Sequence, residues 1–348
     1  MYADVIECRH WQPLGEGHVQ CRVCPHKCRI PDGGRGICFV RRNVGGRLCL
    51  AFGHRVSSLA LDPVEKKPLY HYLPGTATLS IGGTGCNLSC RFCQNAPISK
   101  PGRDPDLQEP LSAESLVRLA QKHRAPSVSF TYNEPIVALE YVVECARACR
   151  AAGLRTIAVT NGYICGEARD EFFDSVDAAN VDLKAFTDDF YRQLCGARLA
   201  PVLDTLQYIR KRTRTWLEVT TLLIPGENDA PTEIEEMTRW AVGALGPDTP
   251  WHFSAFYPMY RMTDRPPTPP ETLYRARDIA HRNGLRYVYV GNISDGEGHS
   301  TFCRSCGALL LERGRMSLRS CRLRRDGTCP SCGTRCPGVF TLAGSPLG

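Results

Sequence analysis

The sequence predicts an α/β fold: a parallel sheet curved into a partial (βα)6-type barrel, with a cysteine-rich segment before it and a small zinc-ribbon-like module after it. Three observations carry that prediction. From about residue 76 to 292, short β-branched runs alternate with amphipathic helical stretches, the pattern of repeated β-then-α units. The unusual residues fall directly after the strand-like runs, so that in a barrel they would share one rim. Nineteen cysteines in 348 residues gather mainly in three tight clusters, two of them outside the alternating region. The expected division is residues 1–75, 76–295 and 300–348.

Taken in order, residues 1 to about 50 are rich in Gly and Cys, with little periodicity, and read as loops too poor in apolar surface to hold together unaided. Strands are expected at 77–82 (ATLSIG), 127–132 (SVSFTY), 155–160 (RTIAVT), 180–185 (NVDLKA), 216–224 (WLEVTTLLI), 251–257 (WHFSAFY) and 285–291 (LRYVYVG). Helical stretches lie between them, including SAESLVRLAQKH, with Ser112 and Ser115 as capping candidates, and a segment ending at Gly153. The Pro-rich stretch 263–273 reads as a rigid connection before the last helix.

Composition bounds the function. Hydrophobic residues make up 43% and charged residues 23%, and the absence of an apolar run of about 18 residues argues against a transmembrane helix. The first residues, MYADVIECRHWQPLG, lack the basic-then-apolar pattern of a secretory signal, so a cytoplasmic location is expected. In that compartment close C-x-x-C spacing favours metal over disulfides. A net charge of +7 permits an anionic substrate or nucleic acid and demands neither.

The stretch TGCNLSCRFCQN places Cys86, Cys90 and Cys93 in C-x-x-x-C-x-x-C spacing, with Phe92 before the last cysteine. Three thiols are one short of the set that completes an iron–sulfur cluster or a structural zinc site. They can hold three corners of a 4Fe-4S cube, leaving one iron open to a small molecule. A structural zinc borrowing its fourth ligand is the alternative.

This loop resembles that of the radical S-adenosylmethionine (SAM) enzymes. The resemblance implies the radical SAM class of barrel, a 4Fe-4S cluster on Cys86, Cys90 and Cys93, and SAM bound at the open iron. Reductive cleavage of SAM would then give a 5′-deoxyadenosyl radical that abstracts hydrogen from a substrate. It also implies SAM contacts for Phe92, for Glu134 in TYNEP, for Asn161 in TNG and for Asp182 and Lys184 in DLK. Tyr132 and Asn133 replace the two glycines that commonly precede the equivalent Glu, and Val159 stands where related activases often carry an acid. Over nearly the whole chain, CRVCPHKC, LDPVEKKPLYHYLPG, TTLLIPGEND and the last cysteine pairs look like the radical SAM member of the AmmeMemoRadiSam group, related to the pyruvate formate-lyase activases. A one-electron donor of flavodoxin or ferredoxin type is implied, and a protein substrate is among the implied partners.

The residues of the loops have plainer readings beside these. A Glu after a strand is often a helix N-terminal acid, and Asn-Gly is a common turn. Asp182 and Lys184, two apart in a strand, would point to one face, where burial without partners is costly.

Two further clusters have four thiols each. Cys303, Cys306, Cys329 and Cys332 form two C-x-x-C pairs, each followed by glycine, and read as a structural zinc ribbon, with rubredoxin-like iron as the alternative. Cys21, Cys24, Cys28 and Cys38 read as zinc that orders the N-terminal segment, slightly preferred, or as a second iron–sulfur cluster. Cys8, Cys49, Cys145, Cys149, Cys165 and Cys195 read as buried apolar residues, and Cys321 and Cys336 as extra packing.

DPVEKKPLYHY (62–72) divides between a solvated turn and a lid whose lysines meet an anion. YPMY (257–260) with Arg261 is a candidate cavity lining. Arg304, Arg313, Arg315, Arg319, Arg322, Arg324 and Arg325 make the C-terminal module basic, more often a solubilising face than a nucleic-acid site. The leading functional reading is a radical SAM enzyme with an unidentified substrate. The alternatives are an activase acting on a partner protein and a nucleic-acid-binding metalloprotein.

Overall fold

The computed structural model describes residues 6–100 and 109–341. The outer ends of the expected first and last segments, 1–5 and 342–348, lie outside the described residues.

At the centre is an eight-stranded sheet whose strands are hydrogen-bonded in chain order: β1 (Ser58–Pro63), β2 (Ala77–Gly82), β3 (Ser127–Phe130), β4 (Arg155–Thr160), β5 (Ala178–Asp182), β6 (Trp216–Leu223), β7 (Trp251–Ala255) and β8 (Val288–Gly291). From β2 to β8 every neighbouring pair is parallel, while β1 runs antiparallel to β2 with Ser58 opposite Gly82. The sheet does not close, because β1 and β8 are its edges. Helices α1 (Ala113–Lys122), α2 (Leu139–Ala151), α3 (Gly166–Ser175), α4 (Ala200–Arg212), α5 (Pro231–Leu245) and α6 (Pro270–Arg282) supply the crossovers. Both faces of such a sheet are covered, which is why β3 is buried along its whole length.

The local chemistry matches the elements. Ser112 caps α1, its hydroxyl accepting from Ser115 N at 3.2 Å. Gly153, at φ +75°, follows α2, in a conformation that costs other residues. Strand β5 begins and ends earlier than the sequence suggests, with Asp182 as its last residue. No helix among the described residues is long and apolar enough to cross a membrane.

The N-terminal segment is not the set of loops its composition suggests. It forms two small antiparallel sheets, one of Ile6–Glu7, Arg47–Leu50 and Arg41–Val44, the other of Trp11–Gly15, His18–Cys21 and Arg29–Ile30. What holds them is long-range. Arg41 and Glu140 of α2 form a fully buried ion pair at 2.7 Å, with a second guanidinium nitrogen reaching the same carboxylate.

The segment 62–72 is likewise no solvated turn: Asp62, Glu65, Lys67 and His71 are all buried. Their partners lie both nearby and far along the chain. Lys66 and Lys67 both reach Asp62, at 2.8 and 2.7 Å, and the Tyr132 hydroxyl donates to the same carboxylate.

The C-terminal module is an antiparallel sheet of β9 (Thr301–Phe302), β10 (Leu309–Arg313) and β11 (Leu318–Cys321). It docks on the barrel through a second apolar core containing Tyr70, Tyr287, Tyr289, Leu310, Leu311 and Phe340. Arg313 is buried there rather than part of a basic face, donating to Tyr70 O, His299 O and Thr301 Oγ1. Arg304 is also committed, to Asp248 at 2.7 Å.

Candidate active site

A cavity of about 550 Å³ lies inside the curved sheet. It is lined by all of Cys86, Cys90, Cys93, Phe92, Glu134, Asn161, Asp182 and Lys184, residues drawn from the ends of β2, β3, β4 and β5. The strand order explains this convergence. Parallel neighbours place the segments after their carboxyl ends side by side.

The cysteine loop packs tightly around its backbone. Phe92 is buried against Phe190, ring centres 5.7 Å apart. Gly85 has φ +86°, and a Cβ there would stand 2.2 Å from Cys38 O, so only glycine lets the N-terminal segment lie against this loop. Leu88 N donates to Cys86 Sγ at 3.4 Å, and Asn161 Nδ2 lies 3.7 Å from the same sulfur. Burial, with Glu134 and Cys90 nearby, raises the Cys86 thiol pKa. A hydrogen bond with Cys195 lowers that of Cys90, helped by the Lys184 ammonium and opposed by burial.

Glu134 is buried and already engaged. Its carboxylate accepts from Thr160 Oγ1 at 2.7 Å, Asn161 N at 2.8 Å and Ile136 N at 3.1 Å. Burial outweighs these bonds and pushes its pKa up to about 7. Asn161 holds Asn87 through Nδ2 at 2.8 Å and caps the turn through Oδ1, which accepts from Tyr163 N. Asp182 and Lys184 satisfy each other at 2.7 Å. Burial disfavours the Lys184 charge, but Asp182 outweighs it and the ammonium titrates above its ordinary range.

Beyond these, the lining includes residues that sequence reasoning missed. Thr220 is the register neighbour of Asp182, and His252 that of Thr220. His252 donates to Glu218 at 2.7 Å, and Glu218, wholly buried in β6, also accepts from Trp216 Nε1, Tyr70 N and His71 N. Burial would raise the Glu218 carboxyl, yet His252 and these donors hold it below its ordinary value. A charged residue inside the apolar run WLEVTTLLI was the available signal, the same one that marked Asp182. YPMY takes a different place: Tyr257, Met259 and Tyr260 are exposed, and Arg261 N bonds Arg91 O beside the cysteine loop.

The two four-cysteine sets differ. Cys303, Cys306, Cys329 and Cys332 have their sulfurs within 4.8 Å of one another, with Cys303–Cys332 at 3.6 Å and Cys306–Cys329 at 3.7 Å. A tetrahedral ion with metal–sulfur bonds of about 2.3 Å sets sulfurs about 3.8 Å apart, so the set fits one mononuclear metal. Gly307 and Gly333, at φ +73° and +75°, close matching turns onto Cys303 O and Cys329 O. Hydrogen bonding with Thr334 lowers the Cys332 thiol to about 6, favouring the metal-binding thiolate. Cys21, Cys24, Cys28 and Cys38 instead line one narrow apolar cleft beside Arg41 and Asn87. Of the single cysteines, Cys8, Cys49, Cys145, Cys149 and Cys195 are buried, whereas Cys165 is half-buried.

The donor set on the cavity suits an iron–sulfur cluster. Three thiols edge a space with room for a further occupant, and N–H groups face a sulfur.

Comparison with known proteins agrees. A profile of the Radical SAM superfamily matches residues 80–241. Uncharacterized protein MJ0808 of Methanocaldococcus jannaschii is 41% identical over 307 residues, covering 88% of this chain and 91% of that protein. The pyruvate formate-lyase 1-activating enzyme of Escherichia coli K12 is 22% identical over 220 residues, 59% of this chain and 89% of the enzyme. Among solved structures, a radical SAM methyltransferase from Sphaerobacter thermophilus superposes with a TM-score of 0.50 at 19% identity, covering 71% of this chain and 72% of its own. That last likeness concerns the fold.

Proposed function

The chain belongs to the radical SAM superfamily, whose members use a 4Fe-4S cluster and SAM, and from that premise we propose that Cys86, Cys90 and Cys93 hold the cluster and that Phe92, Glu134, Asn161, Asp182 and Lys184 hold SAM beside it. The observation that carries this reading is the lining of one cavity by all eight residues. When bound, the pair supplies one-electron cleavage of the sulfonium and a carbon radical able to take hydrogen from a substrate. The chain's own part is binding, orientation and exclusion of water. Glu134, poised near neutrality, is charged by an ammonium placed beside it, while Asp182 keeps Lys184 protonated and fixed. Phe92 and Phe190 wall the loop from solvent.

Anaerobic reconstitution tests this: iron and sulfide should load at the Cys86 loop, and reductant should release 5′-deoxyadenosine from SAM. A Cys90→Ala protein that still cleaves SAM sinks it. The likeness to an activating enzyme supports a second reading, hydrogen abstraction from a glycine of a partner protein. Electron paramagnetic resonance of such a partner would show a glycyl radical directly. In either case the reducing electron would come from a small flavodoxin- or ferredoxin-type donor.

A further inference from the structure

The cavity continues past the residues assigned to SAM. Besides Thr220 and His252, its lining includes Lys66, Lys67 and Tyr70, and Arg315 and Met316 from the turn between β10 and β11 of the C-terminal module. The module is therefore a wall of the cavity, held there by Arg313, which bonds Tyr70 O, and by His71, which bonds Pro337 O at 2.6 Å.

The charge at this end is unbalanced. Lys66 and Lys67 share the single carboxylate of Asp62. Arg313 meets Glu65 only at 3.9 Å, where Arg313 Nε and Glu65 Oε2 are both buried without a hydrogen-bond partner. Burial raises the Glu65 pKa, opposed by Arg313 and by the hydrogen bond from Gly75 N. Arg315 is exposed, and among the described residues it has no carboxylate partner. Three cations of the lining, Lys66, Lys67 and Arg315, thus stand against one lining acid, Glu65, and the Asp62 carboxylate behind the two lysines, in a cavity that concentrates their field.

We propose that this end of the cavity binds the co-substrate, that the co-substrate is a small organic anion bearing a carboxylate or phosphate, and that Arg315 of the C-terminal module is a binding partner of that group. The inference rests on the assignment of the residues around the cysteine loop to SAM. A guanidinium suits either anion through paired N–H donors, and Met316 beside it offers an adaptable apolar contact. The module that the sequence marks as a metal staple then has a second role, in choosing what reaches the radical.

The test is calorimetric titration of reconstituted holoenzyme with inorganic phosphate and, separately, with succinate. Binding of at least one probe is expected, weakened about tenfold or more in R315Q, as for loss of a hydrogen bond to a charged group, and restored only in part in R315K, which keeps the charge without the paired donors. Phosphate alone or succinate alone identifies the anion class. No binding of either probe to the unmutated protein, or equal binding by R315Q, overturns the proposal. Because Arg315 is exposed at a turn, R315Q should keep its metal content and melting temperature, which are measured alongside. SAM is titrated into the unmutated protein as a separate arm; failure there overturns the SAM assignment, whatever the anions do.

Discussion

The cysteine loop of the barrel and the cysteine pairs of the C-terminal module use the same ligand atom for opposite ends. In the module, four sulfurs close on one another at 3.6–3.7 Å across paired turns, and the sphere is complete. In the barrel, three sulfurs edge a cavity of about 550 Å³, and on the reading proposed above a bound group would complete them. A closed sphere contributes folding free energy, whereas an open one contributes chemistry. The setting of the sulfurs, clustered on one another or spread along a cavity wall, distinguishes the two.

That contrast can be broken by swapping the lesion. Cys90→Ala should abolish SAM cleavage while the metal at Cys303, Cys306, Cys329 and Cys332 stays bound, as measured by product assay and metal analysis. Cys306→Ser should do the reverse to structure. Metal binding in small modules of this kind is worth about 10–16 kcal/mol, so hydrogen exchange should show β10 and β11 unprotected while β3 to β6 remain slow. If both variants lose the same thing, the distinction between open and closed sites fails.

A smaller effect is expected where the cavity meets the buried charges. Asp62→Asn leaves Lys67, only 2% exposed, without its carboxylate, and should cost about 3–5 kcal/mol in urea unfolding. Slightly smaller still is the pH response of the module's seat. His71 is wholly buried, and burial lowers its pKa to about 4. Pro337 O can only accept, so Nδ1 carries the proton and Nε2 accepts from the Tyr289 hydroxyl, which defines a neutral ring. The unfolded chain takes up a proton near pH 6.5 and the folded one only near 4, so falling pH favours unfolding. Stability from this group is complete above about 6.5 and declines toward pH 4 by about 3 kcal/mol. Thermal unfolding from pH 7 to 4 checks it, with a loss of the slope expected in His71→Gln.

Much of the barrel was legible because its signals are local. ATLSIG and RTIAVT form strands over the whole of the expected ranges, since β-branched runs bounded by turn residues need little help. The loop residues were legible because each follows a strand. What escaped was long-range. The sheets of the first fifty residues depend on Arg41 meeting Glu140, and nothing in their own composition shows that. The charges of 62–72 looked solvated because their partners, Tyr132, Arg313 and Pro337, lie at a distance in sequence. Strand β1 escaped as an antiparallel edge with Leu59 and Leu61 outward, inverting the expected alternation. Arg315 was read as one of a run of surface charges, since its place at the cavity depends on how the module docks.

The bond from His71 to Pro337 joins residues 266 apart in sequence, and on a ribosome that separation becomes a delay. At about 5–20 residues per second, the barrel strands emerge well before the residue that seats the last wall. Until then the aromatic surfaces of Tyr70, Tyr287 and Tyr289, which pack against the module in the folded chain, lack that cover. Docking of the module thus shuts a chamber whose other sides come from earlier parts of the chain, and a chain released before Pro337 would lack the contact that seats it.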